Sequence, residues 1–322
     1  MALMSAVCLM GAPFIGQHLT SIHAVLRPDM QEIESSVFWT LRMPRGLTAY
    51  LAGATLAVSG MVFQALFRNP LATESTLGVA SGASFGAALQ VRLGVTFSIL
   101  GIPAVSVLAF AGAALSVVLV FVLSSIRRGL SSTSMLLAGV AISFFFSSLI
   151  LMVQSASDFH NSYKLLRWLM GGLMGASYDT VSTLLPFSFI GLTCIAWLIR
   201  ELDLLATGED LAMSRGVEVR RVRTLLLLAT SLAVGGVVSM CGPIGFVGMI
   251  TPHICRLLVG WDHRYLMPAS ALMGGAFLVL CDTVARLVTA PAELPVGAIT
   301  SLLGGPFMVW LLVARSRNGM VM

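Results

Sequence analysis

From Gly46 to Leu66 the chain runs without a charged residue, and apolar stretches of similar length recur as far as Arg315. A helix of about 20 such residues spans the ~30 Å of a bilayer's hydrocarbon, and its backbone hydrogen bonds close within the segment. With 57% hydrophobic and 10% charged residues and a mean hydropathy of +0.94, the chain lies outside the range of soluble domains. It reads as a polytopic, all-α membrane protein. At 322 residues it has room for about ten spans and for no separate soluble domain, so any ATPase it uses must be another chain.

Met1 to Gly16 is apolar without a basic leader, which favours a short uncleaved first span over a signal peptide. After the mixed stretch Gln17–Arg45, spans are expected at Gly46–Leu66, Leu77–Gln90, Ile102–Ser124, Ser134–Gln154 and Val181–Ile199. Arg127-Arg128-Gly129 ends the fourth, and Tyr163–Trp168 has the composition of an interfacial amphipathic helix. Val222–Gly260 is too long for one crossing, and Gly242-Pro243 divides it into two spans joined by a tight turn. A ninth span at Leu266–Arg286, a turn at Pro291–Pro295 and a tenth span ending at Arg315 complete the chain.

Ten spans place both termini on one side. The loops on that side carry the whole net charge of +5 and the opposite loops balance to zero, so the positive-inside rule makes the first side cytoplasmic. The largest polar island, Arg200 to Arg223, then faces the cytosol. Within it Gly208, Glu209, Asp210, Leu211, Ala212, Met213, Ser214, Arg215, Gly216 and Val217 read as a short helix. Glu209 and Asp210 sit in its first turn, Arg215 in its last, and Gly216 where a left-handed cap is usual. Val217–Arg223 is expected to form a second short turn leading back into the membrane. Two small exposed helices make a docking surface; the plainer reading is a basic loop that only sets orientation.

The five cysteines fall in or beside apolar runs without CxxC spacing, and suggest neither disulfides nor zinc. His253 and His263 read as structural, and no metal site is expected. Few ionisable residues lie inside the spans, and the chain lacks a zinc-hydrolase motif, a Ser/His/Asp set and a phosphate-binding loop. The surviving reading is a transport pathway powered from outside the chain. An ion-coupled transporter acting alone and a membrane scaffold are the alternatives.

Arg42-Met43-Pro44-Arg45, Ala52–Gly60, Gln64, Arg68-Asn69-Pro70-Leu71-Ala72 and Leu77–Ala83 together resemble the permease subunits of ABC importers for iron-siderophores, haem and vitamin B12. Gly208-Glu209, Gly242–Gly248, Thr251–Arg256, Asp262-His263-Arg264, Asp282–Arg286 and Glu293–Gly297 continue the match in the second half. The resemblance runs from about residue 38 through nearly all the chain; the departure is the short N-terminus. It implies a single permease domain over residues 1–322, working as a homodimer in the inner membrane with two cytoplasmic ATPase subunits and a periplasmic binding protein. This chain would bind no cofactor, ATP and Mg belonging to the ATPase, and no nucleic acid.

By the same resemblance Gly208–Val217 matches the coupling helix that seats in the ATPase, with Glu209 and Arg215 touching it. Arg42, Arg45 and Arg286 match outward arginines that receive glutamates of the binding protein. The competing roles are an i, i+4 pair of Arg286 with Asp282 and snorkelling of Arg42 and Arg45. Asn69, Leu71, Thr133 and Ser134 match positions that narrow the cytoplasmic end of the pathway, and all but Leu71 also belong to ordinary helix stop or cap signals.

Overall fold

The computed structural model describes residues 1–16, 33–99, 101–126, 132–290 and 292–317. Arg127-Arg128-Gly129, Pro291 and the stretch from Gln17 to Glu32 lie outside the described residues. Helix α1 (Ala2–Gly11) ends in a 3-10 turn at Ala12–Phe14, and a helical lead-in over Ile33–Arg42 runs directly into α2 (Met43–Leu66). A 3-10 helix at Glu74–Leu77 precedes α3 (Val79–Leu93), and a minimal hairpin pairs Ser98–Ile99 with Ile102–Pro103. Next come α4 (Ala104–Ile126), α5 (Ser132–Ser155), α6 (Phe159–Leu169), α7 (Tyr178–Trp197), α8 (Ile199–Thr207) and α9 (Glu209–Ser214). The chain closes with α10 (Val219–Cys241), α11 (Val247–Val259), α12 (His263–Val288) and α13 (Val296–Arg317).

Among the described residues six helices are long and apolar enough to cross a membrane: α2 with its lead-in, α4, α5, α7, α10 and α12. The shorter α1 and α11, together with α3 and α13, supply the remaining expected spans, and the architecture is the all-helical one read from the sequence. The helix into α2 begins thirteen residues before the expected apolar boundary at Gly46. Nothing between Ile33 and Met43 breaks it, and Pro44 falls inside the continuous helix, just after the π-helical stretch Val37–Arg42.

Helix α2 is the centre of the bundle, packed against α7, α10, α11 and α12. Leu56, Ala57, Val58, Met61, Val62 and Phe63 are all fully buried along it. Lipid tails are as apolar as leucine, so helices in a bilayer gain little from burying such side chains and associate through close packing instead. Small residues provide it. A Cβ on Gly60 would run into the Gly248 carbonyl of α11, and one on Gly274 of α12 would lie 2.5 Å from the Gly53 carbonyl oxygen. Gly82 and Gly112 bring α3 and α4 together in the same way.

The expected tight turn at Gly242-Pro243 is instead a five-residue non-helical link ahead of a short helix. At 13 residues, α11 reaches only about 20 Å. Non-helical backbone at that depth must be covered by protein. Gly242 sits where a Cβ would lie 2.5 Å from the Trp168 carbonyl, Cys241 O accepts from Gly172 N at 2.8 Å, and Ile244 is buried.

Glu74, in the 3-10 turn after α2, is 3% exposed, and its Oε2 has no hydrogen-bond partner among the described residues. That oxygen lies 3.2 Å from where a Cβ on Gly248 would stand, against the α2–α11 crossing. Burial raises its carboxyl pKa from the ordinary 4.5 to about 7, the bond from its own backbone opposing the shift.

Two outcomes follow from this packing. Gly60→Leu should destabilise the detergent-solubilised protein by about 1–3 kcal/mol or more through overpacking, read as a lower melting temperature. Because folded Glu74 holds its proton to higher pH than the unfolded chain, the stability it contributes is complete below about pH 4.5 and lost as pH rises through about 7. Glu74→Gln should remove that slope, on the order of 3 kcal/mol across the window, and melt above the parent at pH 8.

Candidate functional site: the polar arm and the two ends of the bundle

Helix α8 was not expected as a separate element; the sixth span was drawn to Ile199 and the island beyond it read as two small helical turns, at Gly208–Val217 and Val217–Arg223. The signal was present in Leu198, Leu202 and Leu205, which repeat at helical spacing and are all buried. Helix α9 lies where the sequence placed it. It ends in a paired cap, with Val217 N donating to Ala212 O and Gly216 N to Met213 O, both at 3.0 Å, while Gly216 takes φ +82°. The second short turn expected over Val217–Arg223 is instead the start of α10, since no breaker follows Val219.

Ala212 alone of the α9 side chains is fully buried. Leu211 and Met213, 46% and 55% exposed, point outward with Asp210, Ser214 and Arg215. Glu209, 39% exposed, lines the same side as Met213 one turn on, and its Oε1 accepts from Arg223 Nη2 of α10 at 2.5 Å. Beside α9 and the first turns of α10 lies an open groove of about 840 Å³ lined by Met213, Val217, Arg220, Arg221 and Leu225.

The arm is held to the bundle at further points. Arg68, just past α2, takes φ +48° where glycine is usual, and its Nη2 donates to Leu205 O of α8 at 3.2 Å. Asp203 of α8 accepts from the backbone N–H of His263 at 3.1 Å and meets its Nδ1 at 2.5 Å, tying α8 to the start of α12. Deeper in, Arg256 of α11 donates to Gln64 Oε1, and Gln64 Nε2 donates to Gly248 O at 3.0 Å. The Arg256 guanidinium also stands 5.3 Å over the Trp261 ring. His263 is therefore engaged in a helix tether, and His253 lies edge-on to Phe307 at 5.7 Å. Among the described residues no group of three or more His, Cys, Asp or Glu side chains is placed to hold a metal ion.

Asn69 Oδ1 accepts from Leu71 N at 2.9 Å, closing the turn after α2, and both residues are half-buried. Thr133 is exposed and Ser134 half-buried in the first turn of α5. Helix α5 packs on the 3-10 turn that follows Leu71, with Ser143 Oγ donating to Ser75 O at 3.1 Å and Gly139 against Thr76. The four positions thus share one end of the bundle.

At the other end, Arg45 donates through Nε to both Asp282 oxygens, at 3.1 and 3.0 Å, and through Nη1 to Glu293 Oε2 at 2.7 Å. Arg286 Nε faces Asp282 Oδ2 at 3.2 Å, the i, i+4 pair weighed from the sequence. Arg286 Nη1 donates to Ile15 O at 3.2 Å and Arg42 Nη1 to Pro13 O at 3.2 Å, so two guanidiniums cover the carbonyls where α1 and its 3-10 turn end. Arg42, Arg45 and Arg286 therefore cluster, and all three hold the chain's own groups. The sequence suggested the cluster but not the role of α1 in it.

Comparison with known proteins agrees with this architecture. Residues 3–314 match the FecCD transport family. The hemin transport system permease protein HmuU of Yersinia pestis is 36% identical over 312 residues, covering 96% of this chain and 92% of that protein. The cobalamin import system permease protein BtuC of Halobacterium salinarum is 40% identical over 295 residues, 91% of this chain and 77% of that protein. A solved ABC transporter described as metal-chelate type, in an inward-facing conformation, superposes with a TM-score of 0.87 at 30% identity, covering 97% of each chain. The chain belongs to the FecCD transport family of ABC importer permeases.

Proposed function

We propose that this permease carries an iron-siderophore, haem or a corrinoid from periplasm to cytoplasm, as a homodimer powered by two ATPase subunits seated on Gly208–Val217. The reading includes an inner-membrane location, cytoplasmic termini, one permease domain over residues 1–322 and a periplasmic binding protein that delivers the cargo. ATP and Mg belong to the ATPase, and the chain contributes conformational change rather than chemistry. Its family relatives support the cargo class, HmuU being named for hemin and BtuC for cobalamin.

The observation that carries the reading is the outward face of α9. Leu211 and Met213 stand exposed on a six-residue helix whose inner side is held by Ala212 and by the pair with Arg223. Exposed apolar side chains on a braced polar arm suit a protein partner rather than lipid. Asn69, Leu71, Thr133 and Ser134 share one end of the bundle and serve in this reading as the narrow cytoplasmic gate. Arg42, Arg45 and Arg286 receive the binding protein's carboxylates at the far end, exchanging their internal partners for external ones. The ion-coupled alternative is not favoured, because the relatives are permeases of ABC importers.

Leu211→Glu combined with Met213→Glu should dissociate the ATPase subunits and abolish ATP-driven uptake into proteoliposomes while melting stays close to the parent. Uptake driven by a proton or sodium gradient without any ATPase would overturn the reading. At the far end, Arg42→Glu should lower binding-protein stimulation of ATP hydrolysis at least ~10-fold, comparable to the 1–3 kcal/mol of a charge-assisted bond. Arg45→Glu should cost stability as well, about 3 kcal/mol or more, because it sets a carboxylate against the nearly buried Asp282 and leaves that residue with Arg286 alone.

A further inference from the structure

Glu209 stands in the first turn of α9, where the sequence alone directs it to the partner, yet its carboxylate turns back to Arg223 on α10. The two side chains differ in setting: Arg223 is 5% exposed and Glu209 39%. A guanidinium sunk that far into a helix bundle is costly to deprive of a counter-charge. Helix α9 itself has only six residues and no length from which to draw stability of its own. Its orientation therefore comes from what holds it: the burial of Ala212, the cap at Gly216 and the ion pair with Arg223.

What lies beyond Arg223 gives the pair its consequence. Helix α10 is a 23-residue rod whose interior is closely packed on its neighbours. Gly236 is seated on the Phe187 ring of α7, and Gly235 lies under Phe110 of α4, a Cβ there meeting the ring at 3.4 Å. Its far end is Gly242, which leads into the non-helical link before α11 and abuts the Trp168 carbonyl and Gly171. Gly171 O in turn accepts from Gly297 N at 3.3 Å, at the start of α13. Helix α10 thus connects Arg223 to the junction of α6, α11 and α13 at its other end. The other tethers of the arm reach α2 through Arg68 and α12 through His263, and neither contacts α9 directly.

We infer that Glu209 and Arg223 are positioning residues of the transport cycle: the pair latches the coupling helix to α10 and transmits its movement, and Glu209 acts within this chain rather than on the ATPase. The inference rests on the reading of α9 as the ATPase seat.

The test is a charge exchange. Glu209→Arg and Arg223→Glu are made singly and together, with Arg223→Lys as the conservative variant. Hydrogen exchange of the 209–217 amides is followed in the purified permease, and ATP hydrolysis and subunit association in the liposome-reconstituted complex with its ATPase subunits. Each single reversal should speed amide exchange over 209–217 and lower hydrolysis at least ~10-fold with association retained. The double exchange and Arg223→Lys should recover most of both. If Glu209→Arg loses the ATPase subunits and the double exchange fails to bring them back, Glu209 touches the partner itself and the latch is wrong. If amide exchange follows the expected pattern but hydrolysis ignores every variant, the pair is a structural contact only and the transmission is wrong, while the seat itself stands or falls with Leu211→Glu and Met213→Glu.

Discussion

Backbone meeting backbone along α2 is the interaction on which the rest of this protein depends. Within a bilayer the hydrophobic effect brings each helix into the lipid but does little to select its neighbours. Selection falls to the positions where two chains approach too closely for a side chain, Gly53 with Gly274 and Gly60 with Gly248. Those contacts make α2 the common partner of α11 and α12. They also place the end of α2 beside the buried carboxyl of Glu74 and set the two ends of the bundle at which the polar residues gather.

At those ends nearly every charge near the bundle is committed to a partner within the chain. Arg45 and Arg286 converge on Asp282, Arg256 reaches Gln64, Arg223 holds Glu209, and Asp203 meets His263. Such contacts add modest net stability, but each is expensive to leave half-made. Most of them therefore act as fasteners between helices far apart in sequence. The polar arm shows the principle most clearly. Its two short helices are amphipathic, with Leu202, Leu205 and Ala212 turned to the bundle and Leu211 and Met213 turned away from it.

The places where sequence reasoning went astray share a physical cause. The lead-in to α2 was read as mixed loop because Glu34 and Arg42 interrupt its apolar pattern, yet both charges are accommodated once Phe38 is buried beneath them. The break at Gly242-Pro243 was legible, but not that it opens a five-residue non-helical link rather than a tight turn, since covering that backbone depends on Trp168 and Gly172 arriving there. Glu209 sits in a first turn in either account. Only the return of α10 beside α9 decides which way its carboxylate points.

Hydrophobic runs and their flanking charges, read along the chain, determined that this is a helical membrane protein of about ten spans with one large polar arm. The ordered motifs assigned it to a permease family. These properties are local, because a helix in lipid must satisfy its own backbone and so announces itself within about 20 residues. The tertiary structure decided which glycines are contacts, which arginines are already paired and which face of the arm stays open. Each of these joins residues far apart in sequence, Arg45 to Asp282 or Gln64 to Arg256, and no periodicity along one helix records what another helix will bring to it.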